Sequence, residues 1–400
     1  MDYGQTSNAN EPLYGLLEST LDDILSLIKP AEEDQVRRLN TVKDIRTAIQ
    51  SVSSLQGTAV IPFGSYVSDL YTKWGDLDIS IQLSHNPSSV GKKKKQDLLR
   101  DIMKALIKRG LGHVKYIPQA RVPLLVFKSR LRNISCDISI DNHVGEVKSK
   151  ILLSIAKIDG RFRDMVLLIK EWAKAQNINN SKVGTLNSYS LCLLIIFHFQ
   201  TCSPAIFPPL KNIYGGNLLE DFAERRFTSG GEVEDLCVAN IASLGPKRGE
   251  NMSTLRELLI SFFWKFSKLK ELAEDYAICP YSGRCEPIEN KPQWRVKPYK
   301  LIVEDPFEVP DNAARAVSVP GLAFISRAFA DTFRKLSSTE VLSDKRALLG
   351  SFLRPHALVH AGVPPLENRA AEASRGGRRP AAWFPSSRQS AAPGGAQRGR

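Results

Sequence analysis

Paired carboxylates, a Gly-Ser turn and helix-borne lysines are the groups in this sequence that could do chemistry together. In FGSYVSDLYTKWGDLDISIQL, residues 63–83, Gly64-Ser65 offers a tight turn whose N–H groups and hydroxyl can approach phosphate oxygens. Asp76 and Asp78 follow, one residue apart, at the head of an apolar strand. Leu77, Ile79, Ile81 and Leu83 alternate with Asp78, Ser80 and Gln82, the period of a strand with one buried face, so the two aspartates share a side. Carboxylates so placed repel unless a cation sits between them, and near phosphate that cation is usually magnesium. A D-x-D by itself is also an ordinary surface turn. The Gly-Ser turn upstream favours the metal reading.

Asp137 sits on the polar face of a strand read at 134–140, opposite Ile134, Cys136, Ile138 and Ile140. It gains interest only as a third carboxylate that would complete a cradle. Lys170 and Lys174, in LLIKEWAKAQ, are four apart and share a helix face. Alone they are a solvated stripe; beside a triphosphate they would neutralise β- and γ-phosphate charge and help pyrophosphate leave. In GTLNSYSL, Ser188 and Tyr189 open a buried helix, as an N-cap and a core tyrosine or as a hydroxyl and ring offered to a nucleotide. His356 and His360 have helical spacing without an intervening glutamate, and no metal role is expected of them.

The elements that must position these groups follow from periodicity. One amphipathic helix runs through Leu17, Leu21, Ile24 and Ile28 to Pro30, and a second spans 32–53. A loop is read at 86–91, and Lys92 to Lys95 open a further helix, either as a solvated face or as a seat for RNA phosphates. Strands are read at 113–117, 122–127 and 134–140, then helices at 147–158, 161–176, 188–200, 218–226 and 252–274. That shift marks a boundary near 145 between an α/β unit and a mostly helical one. The first helix is expected to pack on the helical unit. From about 361 the chain turns to Ala, Gly, Pro, Ser and Arg, a composition unsuited to a core.

The 400 residues allow about two domains, and the net charge of +13 points to a polyanionic partner. Six cysteines with no C-x-x-C pair read as reduced thiols. The longest apolar run, 191–199, is too short to cross a bilayer, and the first twelve residues lack a secretory pattern. An intracellular protein of the cytoplasm or nucleus, without a membrane partner, is expected.

The GS turn, D-x-D, third aspartate, K-x-W-A-K, G-T-L-x-S-Y and the stretch IVEDPFEVPDNAARAV at 302–317 together resemble the DNA polymerase β-like nucleotidyltransferases. Within them the chain is similar to the noncanonical poly(A) polymerase and terminal uridylyltransferase group, and most similar to plant uridylyltransferases that tail small RNAs lacking 3′-end methylation. The resemblance covers residues 10–345 and implies an α+β fold. A mixed sheet with helices on one side would form a catalytic domain at 31–145. Residues 1–30 and 146–345 would form a helical central domain across an active-site cleft, with 346–400 a basic, disordered tail.

It further implies that Asp76, Asp78 and Asp137 are catalytic and hold two magnesium ions, with manganese a substitute. Gly64 and Ser65 would grip the triphosphate with Lys170, Lys174 and Ser188. Tyr189 would stack on the base, Asp305 and Glu308 would lie by its edge, and Asn142 matches a nucleotide-contacting asparagine. The chain departs from the group at Lys148-Ser149, where Asn-Thr is usual near the ribose, and at Asp311, where some uridine-specific members have histidine. Asp311 can accept from uracil N3–H or from an adenine amino group, which leaves the base open. The implied function is template-independent addition of uridines from UTP to RNA 3′ ends, with a small-RNA-carrying protein as a further partner. The alternatives are a poly(A) polymerase using ATP and a catalytically silent RNA-binding scaffold.

Overall fold

The computed structural model describes residues 11–83, 90–227, 229–245 and 249–363. The loop read at 86–91 therefore falls largely, and the tail at 364–400 entirely, outside the described residues.

Alternating apolar residues build one mixed sheet from β1 (Ala59–Phe63), β2 (Leu77–Gln82), β3 (Gly112–Ile117), β4 (Leu124–Ser129) and β5 (Ser135–Ile140), ordered β1-β2-β5-β4-β3. Within this sheet β2 and β5 pair in parallel, with Asp78 opposite Asp137 and Ile79 opposite Ile138. The sequence reading missed β1, which is short and carries Pro62. Its place at the sheet edge is where proline is tolerated. Of the helices that flank the sheet in sequence, α1 (Glu11–Ile28) packs elsewhere, while α2 (Glu32–Ile49) and α3 (Lys92–Lys108) cover one face. Val42, Ile45, Ile49, Leu99, Ile102 and Leu106 meet Leu77, Ile79, Ile81, Cys136 and Ile138 there. Each fully buried large side chain contributes about 1.5–3 kcal/mol.

A second, larger cluster forms where strands give way to helices. Its helices are α4 (His143–Ala156), α5 (Gly160–Ala175), α6 (Ser188–Thr201), α7 (Leu218–Ala223), α8 (Gly230–Ser243), α9 (Leu255–Phe266) and α10 (Leu269–Asp275). After the hairpin β6 (Tyr276–Cys279) and β7 (Arg284–Pro287) come α11 (Pro292–Arg295), α12 (Val319–Leu336), α13 (Thr339–Leu342), α14 (Lys345–Phe352) and α15 (Pro355–His360). α6 is apolar all round and buried from Ser190 to Gln200. α1 joins this cluster through Leu17, Leu21, Ile24, Leu25 and Ile28, as its stripe implies.

Several boundaries differ from the sequence reading. The helix read at 252–274 is two helices, α9 starting behind a Thr254–Glu257 capping box and stopping at Ser267. α8, the β6–β7 hairpin and α12 were not read at all. The tail boundary at 345 is too early: Leu348, Leu349, Phe352, Leu353, Ala357 and Leu358 bury in the helical cluster. On α15, the His356 and His360 rings stand edge-on to Trp74, at 4.9 and 6.0 Å between centroids. All six cysteines are free thiols. No helix among the described residues is long and apolar enough to cross a membrane.

Candidate active site

The parallel register of β2 and β5 sets Asp78 beside Asp137, with Asp76 just before β2. All three line a cavity of about 650 Å³ together with Gly64, Ser65, Lys170, Lys174, Ser188 and Tyr189. Gly64 has φ +71°, and a Cβ there would collide with Asp78 Oδ2, so only glycine lets the turn approach the carboxylate. The Ser65 backbone N–H donates to Asp78. The Gly64 N–H donates to Ser149 Oγ at 2.6 Å, which gives the departure at Ser149 a structural place.

Like charges gather in this cavity. Burial, then Asp137 and Asp76, push the Asp78 carboxyl up to about 7. Burial and Asp76 push Asp137 up to about 6, with Lys182 opposing. Lys170 Nζ donates to the Leu70 carbonyl at 2.7 Å, and burial with Lys174 nearby pulls it down to about 8. Burial and Arg354 lower Lys174 as well. Among the described residues, no three acidic, histidine or cysteine side chains close into a ready-made metal cage. The donors Asp76, Asp78 and Asp137 are all oxygen, mutually repelling and in need of a cation, a chemistry that fits a hard divalent ion such as magnesium or manganese.

An adjoining cavity of about 1000 Å³ shares Gly145, Lys148, Asn187 and Tyr189 with the first. Asn142 lines it and also caps α4, accepting the Gly145 N–H at 3.2 Å. The Tyr189 hydroxyl donates to Asp305 Oδ1 at 3.0 Å. Burial first, then that carboxylate, raise the Tyr189 phenol well above its ordinary value. Lys148 Nζ donates to Asp305 Oδ2 and Glu308 Oε1, both at 2.5 Å, and lies 5.0 Å from the Tyr189 ring centre. Arg121 donates to Glu308 Oε2 at 2.5 Å and to Asp311 Oδ2 at 2.6 Å. Burial alone would raise the Glu308 carboxyl, but Lys148 and Arg121 hold it below its ordinary value.

Gly64, Ser65, Lys170, Lys174, Ser188 and Tyr189 thus stand with the three aspartates, and Asn142, Asp305 and Glu308 stand next door. Asp311 lines neither cavity; its carboxylate turns to Arg121 and Arg315. Ser188 is not the N-cap of α6. Asn187 takes that place, boxed with Ser190, and Ser188 bonds Asn179 at 3.0 Å. Arg121 and Lys182 escaped the sequence reading because nothing in periodicity marks a lone loop cation. Lys148 was noticed as a departure, not as a counter-charge. Lys92, Lys93 and Lys94 are exposed, while Lys95 reaches back to the Asp141 carbonyl.

Residues 17–157 match the family model described as "Poly(A) RNA polymerase, mitochondrial-like, central palm domain". The chain is 49% identical to Protein HESO1 of Arabidopsis thaliana over 327 residues, 80% of this chain. It is 26% identical to Terminal uridylyltransferase cid1 of Schizosaccharomyces pombe over 336 residues, 79% of this chain and 78% of that protein. Among solved structures, Cid1 poly(U) polymerase with MgGTP superposes with a TM-score of 0.64 at 24% identity, over 84% of this chain and 99% of that one. mtPAP in complex with ATPgammaS gives 0.67 at 21%, over 88% and 77%. The chain spans 64% of the length of Protein HESO1 and 20% of the Poly(A) RNA polymerase gld-2 homolog A of Drosophila melanogaster. The α+β arrangement expected from the sequence is the one these structures share.

Proposed function

We propose that the chain is a member of the noncanonical poly(A) polymerase and terminal uridylyltransferase family, whose fold it shares, and that it adds nucleotides to RNA 3′ ends without a template, UTP being the preferred donor; the palm-domain match and the identity to Protein HESO1 support this. One observation carries the reading: Asp78 of β2, Asp137 of β5 and Asp76 just before β2 line the same cavity as Lys170, Lys174 and Ser188. The catalytic unit is residues 31–145, and the helical unit supplies the opposite wall.

A divalent cation held by Asp76, Asp78 and Asp137 would acidify the 3′-hydroxyl and screen the triphosphate. Asp137 is placed to help accept that proton. The 3′-oxygen forms its bond to the α-phosphorus as the bond to pyrophosphate breaks. Lys170 and Lys174 meet the charge on the departing group, and Lys170, titrating near 8, is still protonated at pH 7. Gly64 and Ser65 offer the turn to the phosphates, and Tyr189 offers its ring to the base. RNA is held by backbone charge and stacking, with modest sequence preference. The partners are an RNA 3′ end, UTP and a small-RNA-carrying protein, in the cytoplasm or nucleus.

The test is extension of a short labelled RNA with each nucleotide in turn, in magnesium. UTP-dependent lengthening that disappears in Asp76→Ala plus Asp78→Ala is expected; RNA binding with no extension by any nucleotide would leave a silent scaffold. ATP is the second reading, favoured by the 30% identity to the Drosophila gld-2 homolog, a protein named as a poly(A) polymerase.

A further inference from the structure

Glu171 stands on α5 between Lys170 and Lys174, and its side chain is 0% exposed. Both its oxygens are held by Arg354, the residue just before α15: Nε donates to Oε1 at 2.8 Å and Nη2 to Oε2 at 2.7 Å. The same guanidinium lies 5.7 Å from the ring centre of Trp74, which precedes Asp76 by two residues. Leu353, Ala357 and Leu358 anchor this segment in the helical core. On the next turn of α5, Lys174 lines the cavity of the aspartates and makes no hydrogen bond or ion pair to any described residue. Lys170, by contrast, spends a donor on the Leu70 carbonyl. Residues three apart on a helix are neighbours, so a bare carboxylate at 171 would be within reach of the Lys174 ammonium.

We propose that Arg354 is a positioning residue: it occupies Glu171 and so leaves the Lys174 ammonium free to meet a triphosphate. The inference rests on the nucleotidyl-transfer reading for the use of Lys174, and adds the residue outside the cavity that keeps it available. Without a cation at 354, Glu171 would be an unpaired charge in a dry setting, and Lys174 is placed to neutralise it. That pairing would turn the ammonium away from the phosphates. With Arg354 present, the pair offers Lys174 little net charge. Burial first, then Arg354, lower the Lys174 ammonium, while Asp76 and Glu171 oppose, so the two partners are felt there with opposite sign. Arginine suits the task, since its planar fork takes both carboxylate oxygens while its face rests on an indole.

Binding of inorganic tripolyphosphate with magnesium, measured by calorimetry on the full chain, tests this. Arg354→Met should weaken binding by about tenfold or more, and adding Glu171→Gln should return it to within about threefold of the unsubstituted chain. A merely structural clamp predicts no such rescue, since removing the second partner cannot rebuild it. In Lys174→Met, which has no ammonium to divert, adding Arg354→Met should cost less than about twofold. Should Arg354→Met fail to fold, Arg354→Gln, whose amide can still donate to Glu171, takes its place under the same criteria. No binding by the unsubstituted chain, or unchanged binding by the Arg354 variant, would overturn the proposal. So would a double variant no better than the single one, or a tenfold loss on top of Lys174→Met. If the rescue holds but the unsubstituted chain extends no RNA with any nucleotide, the role of Arg354 stands and the transfer reading falls. If it extends RNA while the Arg354 variant binds tripolyphosphate unchanged, transfer stands and the proposal falls.

Discussion

The two adjoining cavities handle charge in opposite ways. In the one around β2 and β5, carboxylates meet carboxylates and lysine meets lysine, so each group's charge makes its neighbour's harder to keep. Along the other, Lys148, Asp305, Glu308 and Arg121, with Asp311 behind them, alternate in sign and are joined by ion pairs at 2.5–2.6 Å. The first gathers like charges; the second has its charges already paired. Chemistry calls for the former, since stabilisation is wanted only when the reacting charges arrive. Recognition calls for the latter, because prearranged donors and acceptors discriminate most sharply.

The largest effect that could break this contrast is kinetic. Asp76→Ala plus Asp78→Ala should lower single-turnover RNA extension by about a thousandfold or more. A smaller loss would mean these carboxylates are not where the cation acts. Next, removing one charge from each cavity should change stability with opposite sign. Lys148→Met takes the cation from Asp305 and leaves Glu308 with Arg121 alone, and should cost up to about 3–5 kcal/mol by denaturant unfolding. Asp78→Asn should instead raise Tm in chelator at pH 7.

A pH series sharpens the same point. Asp78 holds its proton up to about 7 in the folded chain but, once unfolded, loses it near its ordinary value of 3.8. The folded state therefore carries the extra proton between these values, and stability falls as pH rises through them. In chelator, Tm should drop from pH 4 to 7, and Asp78→Asn should flatten the slope; a Tm that climbs over that range in both proteins would refute the assignment. The smallest expected effect lies on the alkaline side, where single-turnover extension should decline above about pH 8 as Lys170 loses its proton. Lys170→Arg should move that limb upward by about one pH unit or more.

Much of this arrangement was legible in the residues. Alternation around Asp78 and Asp137 named both strands and the face each aspartate would take, and i, i+4 spacing put Lys170 and Lys174 on one side of α5. The failures have physical reasons. β1 is five residues long and interrupted by Pro62, too short for its period to register. α12 opens with a Ser318 cap and Pro320, but Gly321 and Ser326 interrupt its apolar stripe and weaken the helical signal. The segment beyond 345 has good helical apolar spacing that was overshadowed by the tail that follows.

The sequence by itself determined what depends on local geometry: which two strands carry the aspartates, which side those aspartates take, which helix carries the lysines and where glycine must turn. It could not determine the partners of Lys148 and Arg121, since Lys148 and Glu308 are 160 residues apart and Arg121 and Glu308 are 187 apart. Backbone periodicity carries no information across such a distance. Only packing the helical unit against the sheet brings these charges within hydrogen-bonding reach, and ion pairing in a dry wall then settles which atom faces which.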